Sequence, residues 1–140
     1  MSVKEFKNPC HCFNFRRAVN SVTNLYNDKI SSSGLSASQF SILGSLQRLG
    51  TASVSGLSDE VGLERTTVVR SIKPLVNRGF IEDISEEGSR SKVLRLTDEG
   101  CKVLAEATER WREAQKELEM RLGKENIESL YEIISVIQRI

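Results

Sequence analysis

Residues 53–96 limit the fold more than any other part of this chain. A short helical apolar pattern (Val54, Leu57 and Val61) breaks at Gly62, and a second begins at Glu64 and runs to Arg78. Two strand-like runs follow, residues 80–84 and 92–96, on either side of a polar tip that carries Gly88. Apolar spacing of three and four residues marks the helices, and the switch to short β-favouring runs marks a hairpin. Helix, tight turn, helix and hairpin in that order predict a winged helix-turn-helix. Such a unit lays one helix in a DNA major groove while the hairpin reaches the backbone or the minor groove.

The second helix predicts which of its faces would meet DNA. Val68, Val69, Ile72, Leu75 and Val76 recur at helical spacing and are expected to pack inward. Thr66, Thr67, Arg70, Lys73 and Asn77 fall on the other side, with no acidic residue among them. Arg70 suits bidentate contact with guanine, whereas the two threonines suit phosphates or a thymine methyl. Glu64 is expected in the first turn, where the helix dipole favours a carboxylate. Pro74 removes a donor inside the pattern, so a kinked or locally loosened helix is expected there. Arg65, Arg70, Lys73, Arg78, Arg90, Lys92 and Arg95 cluster in this helix and hairpin, opposed at the tip by Glu86 and Glu87. The chain's net charge is only +1, so any affinity for nucleic acid depends on where these charges sit. The DNA-contacting set expected from these patterns is Arg65, Thr66, Thr67, Arg70, Lys73, Asn77, Arg90 and Lys92.

The flanking sequence reads as more helix. Asn8 is expected to cap a first helix with Pro9 in its first turn, and Phe13, Ala18, Val22, Leu25, Tyr26 and Ile30 are its apolar positions. Residues 31–34 end it. Ser36 and Gln39 form a capping box for a second helix that stops at Gly50. Thr97 caps a long fifth helix reaching about Leu122. A last one carries Ile127, Leu130, Tyr131, Ile134 and Ile137. The expected fold is therefore mostly α, with six helices and a β-hairpin wing. Residues 36–96 form the reading unit, and 1–35 and 97–140 supply outer helices. Those outer helices carry more apolar surface than a 140-residue chain can bury alone, and the surplus is assigned to self-association as an obligate dimer. A twofold dimer would set two reading helices about 34 Å apart, one duplex turn.

The segments GLSASQFSIL, LERTTVVRSIKPLVNRGF and LRLTDEG resemble the MarR family of transcriptional regulators, and the order of elements matches over nearly the whole chain. The resemblance implies a homodimer on a pseudo-palindromic double-stranded operator, dimerised through the first and last two helices. It also implies repression relieved by a small-molecule effector or an oxidant such as peroxide. Many members carry Asp-x-Arg at the wing tip, and here Gly88 holds the Asp position and Arg90 the Arg position. Asp83 stands where members often have a base.

Cys10, His11 and Cys12 open the first helix, and three readings stay open for them. A metal site would need further ligands, and only Cys101 remains of that type. Both cysteines could pack a dimer interface as small, soft residues. Alternatively, Cys12 could be a thiol sensor, because the first turn of a helix and Arg16 at i+4 both favour a thiolate. The resemblance adds that Cys12 lies at the position of the reactive cysteine in the organic-peroxide-sensing branch. It also implies that Tyr26 matches one of two tyrosines that bond that cysteine, whereas the other position holds Arg16. Cys101 is expected to be a buried packing residue.

Other classes fare worse. His11 is the only histidine and has no interpretable carboxylate partner, the Asp and Glu residues fall mostly on solvated helix faces, and there is no phosphate loop or nucleophile elbow, so no enzyme and no cofactor are expected. No run is apolar enough for a membrane span, no signal-peptide pattern opens the chain, and three cysteines form no disulfide framework. A cytoplasmic location is expected. The remaining alternative is a winged-helix protein-interaction module that binds no DNA.

Overall fold

The computed structural model describes residues 6–140. Six helices are joined by short turns: α1 (His11–Ile30), α2 (Ala37–Leu49), α3 (Val54–Val61), α4 (Arg65–Asn77), α5 (Asp98–Leu122) and α6 (Lys124–Ile137). A two-stranded antiparallel sheet, β1 (Ile81–Asp83) and β2 (Leu94–Leu96), lies between α4 and α5. This is the winged helix-turn-helix expected, with shorter strands. Pairing runs Ile81 to Leu96, Glu82 to Arg95 and Asp83 to Leu94, and one bond beyond it joins the Ile84 N–H to the Val93 carbonyl at 2.8 Å.

Local chemistry sets the boundaries. Ser36 and Gln39 make the reciprocal capping box at the start of α2, and the Asn27 side chain of α1 accepts from the Ala37 N–H at 2.7 Å. Ser53 and Thr97 cap α3 and α5 by accepting the Gly56 and Gly100 amides. Gly62 ends α3 in the left-handed region at φ 68°, which lets the chain turn sharply into α4. Gly100 has a different reason. A Cβ there would collide with the Phe80 carbonyl, so only glycine lets α5 cross the base of the wing.

The core lies at the centre of the reading unit. Ile42, Leu43 and Leu46 of α2, Leu57 of α3, Val68, Ile72 and Leu75 of α4, and Ile81 and Leu94 of the wing form one buried cluster with Ile30, Leu35, Leu104 and Ala107. Nine buried aliphatic side chains of that unit, each worth about 1.5–3 kcal/mol on leaving water, fix the angle between α3, α4 and the wing. Phe40 and Trp111 stack at 6.2 Å between ring centroids and tie α2 to α5.

Several details differ from the sequence reading. α1 starts at His11 with Cys10 at its N-cap, two residues later than expected. The Asn8 carboxamide oxygen accepts from the Cys10 amide at 2.9 Å and so closes a local turn instead of capping the helix. Glu64 is the N-cap of α4 and makes no side-chain capping bond, so it lies just outside the first turn. Helix α4 runs unbroken past Pro74, which is exposed. The missing donor leaves only the Arg70 carbonyl to water. Cys101 is exposed, not buried, because the inward stripe of α5 is carried by Leu104, Ala107 and Ala114.

Candidate nucleic-acid interface

Helix α4 presents three faces. Val68, Ile72 and Leu75 point into the core. Thr66, Arg70, Lys73 and Asn77 are exposed, whereas Thr67 is only half-exposed. Val69 and Val76, expected inside, stand 49% and 39% exposed on the flank toward the wing. At about 100° per residue they lie roughly 80–100° round from the centre of the buried stripe, which the strict spacing of Val68, Ile72 and Leu75 could have revealed.

That flank and the wing enclose a groove of about 460 Å³. Its floor is apolar (Val54, Val69, Ile72 and Val76), and its rim carries Arg65, Lys73 and Asn77 from α4 and Arg90 and Lys92 from the wing. Five of the eight residues expected to contact DNA thus converge on one groove. Arg70 and Thr66 stand on the exposed crest of α4 beside it.

The expected cationic cluster divides by what each charge touches. Arg78 Nη1 donates to the Gly34 carbonyl at 2.7 Å and its guanidinium lies 4.7 Å from the Phe80 ring centroid, so it clamps the base of the wing to the turn before α2. Arg95 pairs with Glu82 across the sheet at 2.5 Å. Among the described residues, Arg65, Arg70, Lys73, Arg90 and Lys92 form no ion pair, which leaves five positive charges without a salt-bridge partner on α4 and the wing. Glu86 and Glu87 neither brace nor neutralise Arg90. The tip turns through Glu86–Ser89, with the Ser89 N–H donating to the Glu86 carbonyl at 3.0 Å and Gly88 at φ 81°, as a type II turn requires at its third position.

The thiol residues are not assembled within one chain. Cys10 and Cys12 are exposed at the start of α1, and Arg16 is exposed one turn on. Tyr26 sits about 21 Å further along the same helix. Its hydroxyl donates to the Gln115 side chain of α5, and burial first, then Tyr131 and Glu119, pushes its pKa up. Within one protomer Tyr26 therefore does not reach Cys12. No cluster of three metal-ligating side chains occurs among the described residues, and no described helix is long and apolar enough to cross a membrane.

A two-helix reading unit with a two-stranded wing, mounted on long outer helices, defines a winged helix-turn-helix protein. Residues 35–90 match the model of the MarR family. An uncharacterized HTH-type transcriptional regulator of Bacillus subtilis strain 168, YwoH, is 29% identical over 92 residues, which is 66% of this chain and 67% of the relative. Over these residues the chain is similar to MarR-family transcriptional regulators. Among solved structures, the Mycobacterium tuberculosis regulator MosR in complex with DNA is 27% identical with a TM-score of 0.72, covering 91% of this chain and 98% of that one. Bordetella bronchiseptica BpsR shares the fold at 18% identity with a TM-score of 0.86, covering 96% and 98%.

Proposed function

We propose that this chain is a sequence-specific double-stranded DNA-binding regulator that works as a homodimer on a pseudo-palindromic operator and represses by occupying it. The observation that carries the reading is the set of unpaired cations, Arg65, Arg70, Lys73, Arg90 and Lys92, arranged on α4 and the wing around one groove. Helix α4 enters the major groove, with Arg70 and Asn77 toward base edges and Thr66 and Thr67 toward phosphates. The wing carries Arg90 and Lys92 to the backbone or the minor groove. MosR, solved with DNA, is the similar structure that bears on this reading.

Dimerisation is assigned to α1, α5 and α6, the outer helices on either side of residues 36–96. Phe13, Phe15, Val19 and Val22 of α1 and Tyr131, Ile133, Val136 and Ile137 of α6 are exposed in the single chain. Large apolar side chains left exposed in such numbers mark an interface.

Two signals fit. A cleft of about 460 Å³ between the reading unit and α5, lined by Phe40, Gly44, Arg48, Glu60, Val61 and Trp111, suits a small ligand. Exposed Cys12 in the first turn of α1 suits oxidation: thiolate attack on a peroxide gives the sulfenic acid and releases water or an alcohol.

Selection of bound sequences from a random duplex pool, followed by mobility shift over a salt series, tests the reading. An inverted repeat with half-sites about one turn apart, bound with a steep salt dependence, is the expected result. A chain that shifts no duplex at any salt is an interaction module instead. Peroxide added to the operator complex separates the signals: release from wild type but not from Cys12→Ser supports the thiol, and no release from either leaves the cleft.

A further inference from the structure

The wing must hold Arg90 and Lys92 at a fixed distance from α4, yet its regular sheet is only three residue pairs long. Beyond Asp83 and Leu94 the ladder adds the single bond from the Ile84 N–H to the Val93 carbonyl. Tip residues 85–92 then project into solvent with little packing, since all but Ser85 are exposed.

One side chain spans this weak point. Asp83 Oδ1 accepts three hydrogen bonds: from the Ser85 amide at 2.9 Å, the Ser85 hydroxyl at 2.7 Å and the Val93 amide at 3.3 Å. The first two fold the outgoing strand into the tip. The third crosses the hairpin and holds the returning strand one residue before Leu94 and one after Lys92. A carboxylate accepting several donors is a strong local tether. In keeping with this geometry, the Ser85 hydroxyl first, then its amide, holds the Asp83 carboxyl below its ordinary pKa.

We propose that Asp83 is the positioning residue of the wing, fixing where Arg90 and Lys92 stand over the α4 groove and acting on DNA only through them. This rests on the DNA-binding reading above. It has an unusual sign. Asp83 is an exposed negative charge on the same wing as Arg90 and Lys92, so simple electrostatics says that removing it should tighten binding to phosphates. Positioning says that removing it should weaken binding.

Operator affinity of the full-length protein, measured by fluorescence anisotropy, separates the two. Asp83→Ala is expected to weaken binding about fivefold to tenfold, the scale of lost hydrogen bonds to a charged acceptor. Asp83→Asn keeps an acceptor oxygen and loses the charge, and is expected to bind at least as tightly as wild type. Ser85→Ala changes no charge and should weaken binding by a smaller factor. In an Arg90→Ala, Lys92→Ala background, Asp83→Ala should have almost no further effect, because its route to DNA is gone. Melting of all variants within a degree or two of wild type is expected for an exposed hairpin. Should Asp83→Ala melt early, Ser85→Ala and Asp83→Asn still decide the sign. Unchanged or tighter binding by Asp83→Ala, or an equal loss in the double-alanine background, overturns the proposal. If wild type binds no duplex, the DNA reading fails first; if Arg90→Ala weakens binding and Asp83→Ala does not, only this assignment fails.

Discussion

The reading unit and the outer helices use apolar residues in opposite ways. In α2, α3 and α4 the large aliphatic residues are mostly enclosed, and Leu46, Leu57 and Leu75 have no exposure. In α6 no residue is buried, and Tyr131 and Val136 stand about 60% exposed. The first half of α1 is similar: Phe15 and Val19 touch little, and burial begins only near Leu25 and Tyr26. Both regions have amphipathic helical patterns, but only one has its partner within the chain. The first encloses its own apolar face, and the second leaves one uncovered, which the proposed dimer would close with a second copy.

The harshest way to break that contrast is to remove α6, from Lys124 onward. The dimer should be lost, and operator affinity should fall by roughly 10²–10⁴ as two linked half-site contacts become one. The reading unit should keep its cooperative unfolding, because it shares no buried residue with α6. Sedimentation that finds full-length protein monomeric at micromolar concentration would refute the dimer before any truncation is made.

Point substitutions sharpen the comparison. Leu75→Ala, in the enclosed region, should cost about 2–5 kcal/mol at every protein concentration, since the cavity lies inside one chain. Val136→Asp, in the open region, should barely alter the unfolding of a dilute monomer and should abolish its dimerisation. Equal thermal losses for the two at low concentration would mean that α6 is packed within its own chain.

Arg70→Ala acts on the surface of the enclosed region. It should lose about 1–3 kcal/mol for the selected operator, relax one base position and leave the melting temperature unchanged. Lys73→Ala should instead weaken all sequences alike and lower the salt slope by about one. An Arg70→Ala protein with wild-type affinity and wild-type base preference would remove α4 from the major groove.

Legibility in the sequence followed the same division. The helices and their stops were readable because their signals are local: Ser36 with Gln39, Gly62 at φ 68°, and Thr97 before α5. The exposed polar face of α4 (Thr66, Arg70, Lys73 and Asn77) is readable because periodicity fixes a helix face. Periodicity alone sends Val69 and Val76 to the core, because a valine at helical spacing looks alike whether it packs inward or lines a groove. The same ambiguity covers Cys101, since the inward stripe of α5 is offset to Leu104 and Ala107. Asn8 reads as the cap because its residue type suits both a cap and the turn before one. In α6, periodicity groups Ile127, Leu130, Tyr131, Ile134 and Ile137, but Ile127, Leu130 and Ile134 are half-buried where α6 packs on α5, and the outward set adds Ile133 and Val136. The bonding of Asp83 to Val93 is non-local, and no spacing rule could reveal it.

The smallest effect tests where the two regions join. Glu117 of α5 pairs with Lys29 at the end of α1 at 3.0 Å and with Arg121 one turn on at 2.7 Å. The Arg121 guanidinium first, then the Lys29 ammonium, holds the Glu117 carboxyl below the ordinary glutamate range. Because its folded pKa is depressed, the contribution to stability is present above the unfolded value and is lost as pH falls through the folded value. Arg121 is largely exposed, so salt screens the pair and the gain is small. Glu117→Gln should therefore lower the melting temperature by about a degree near neutral pH at low salt. The gap should close on acidification below the glutamate range, and also in about 1 M salt. A gap that persists at low pH would mean that Glu117 holds α1 to α5 by packing rather than by charge. Charge would then play no part in joining the buried end of α1 to α5.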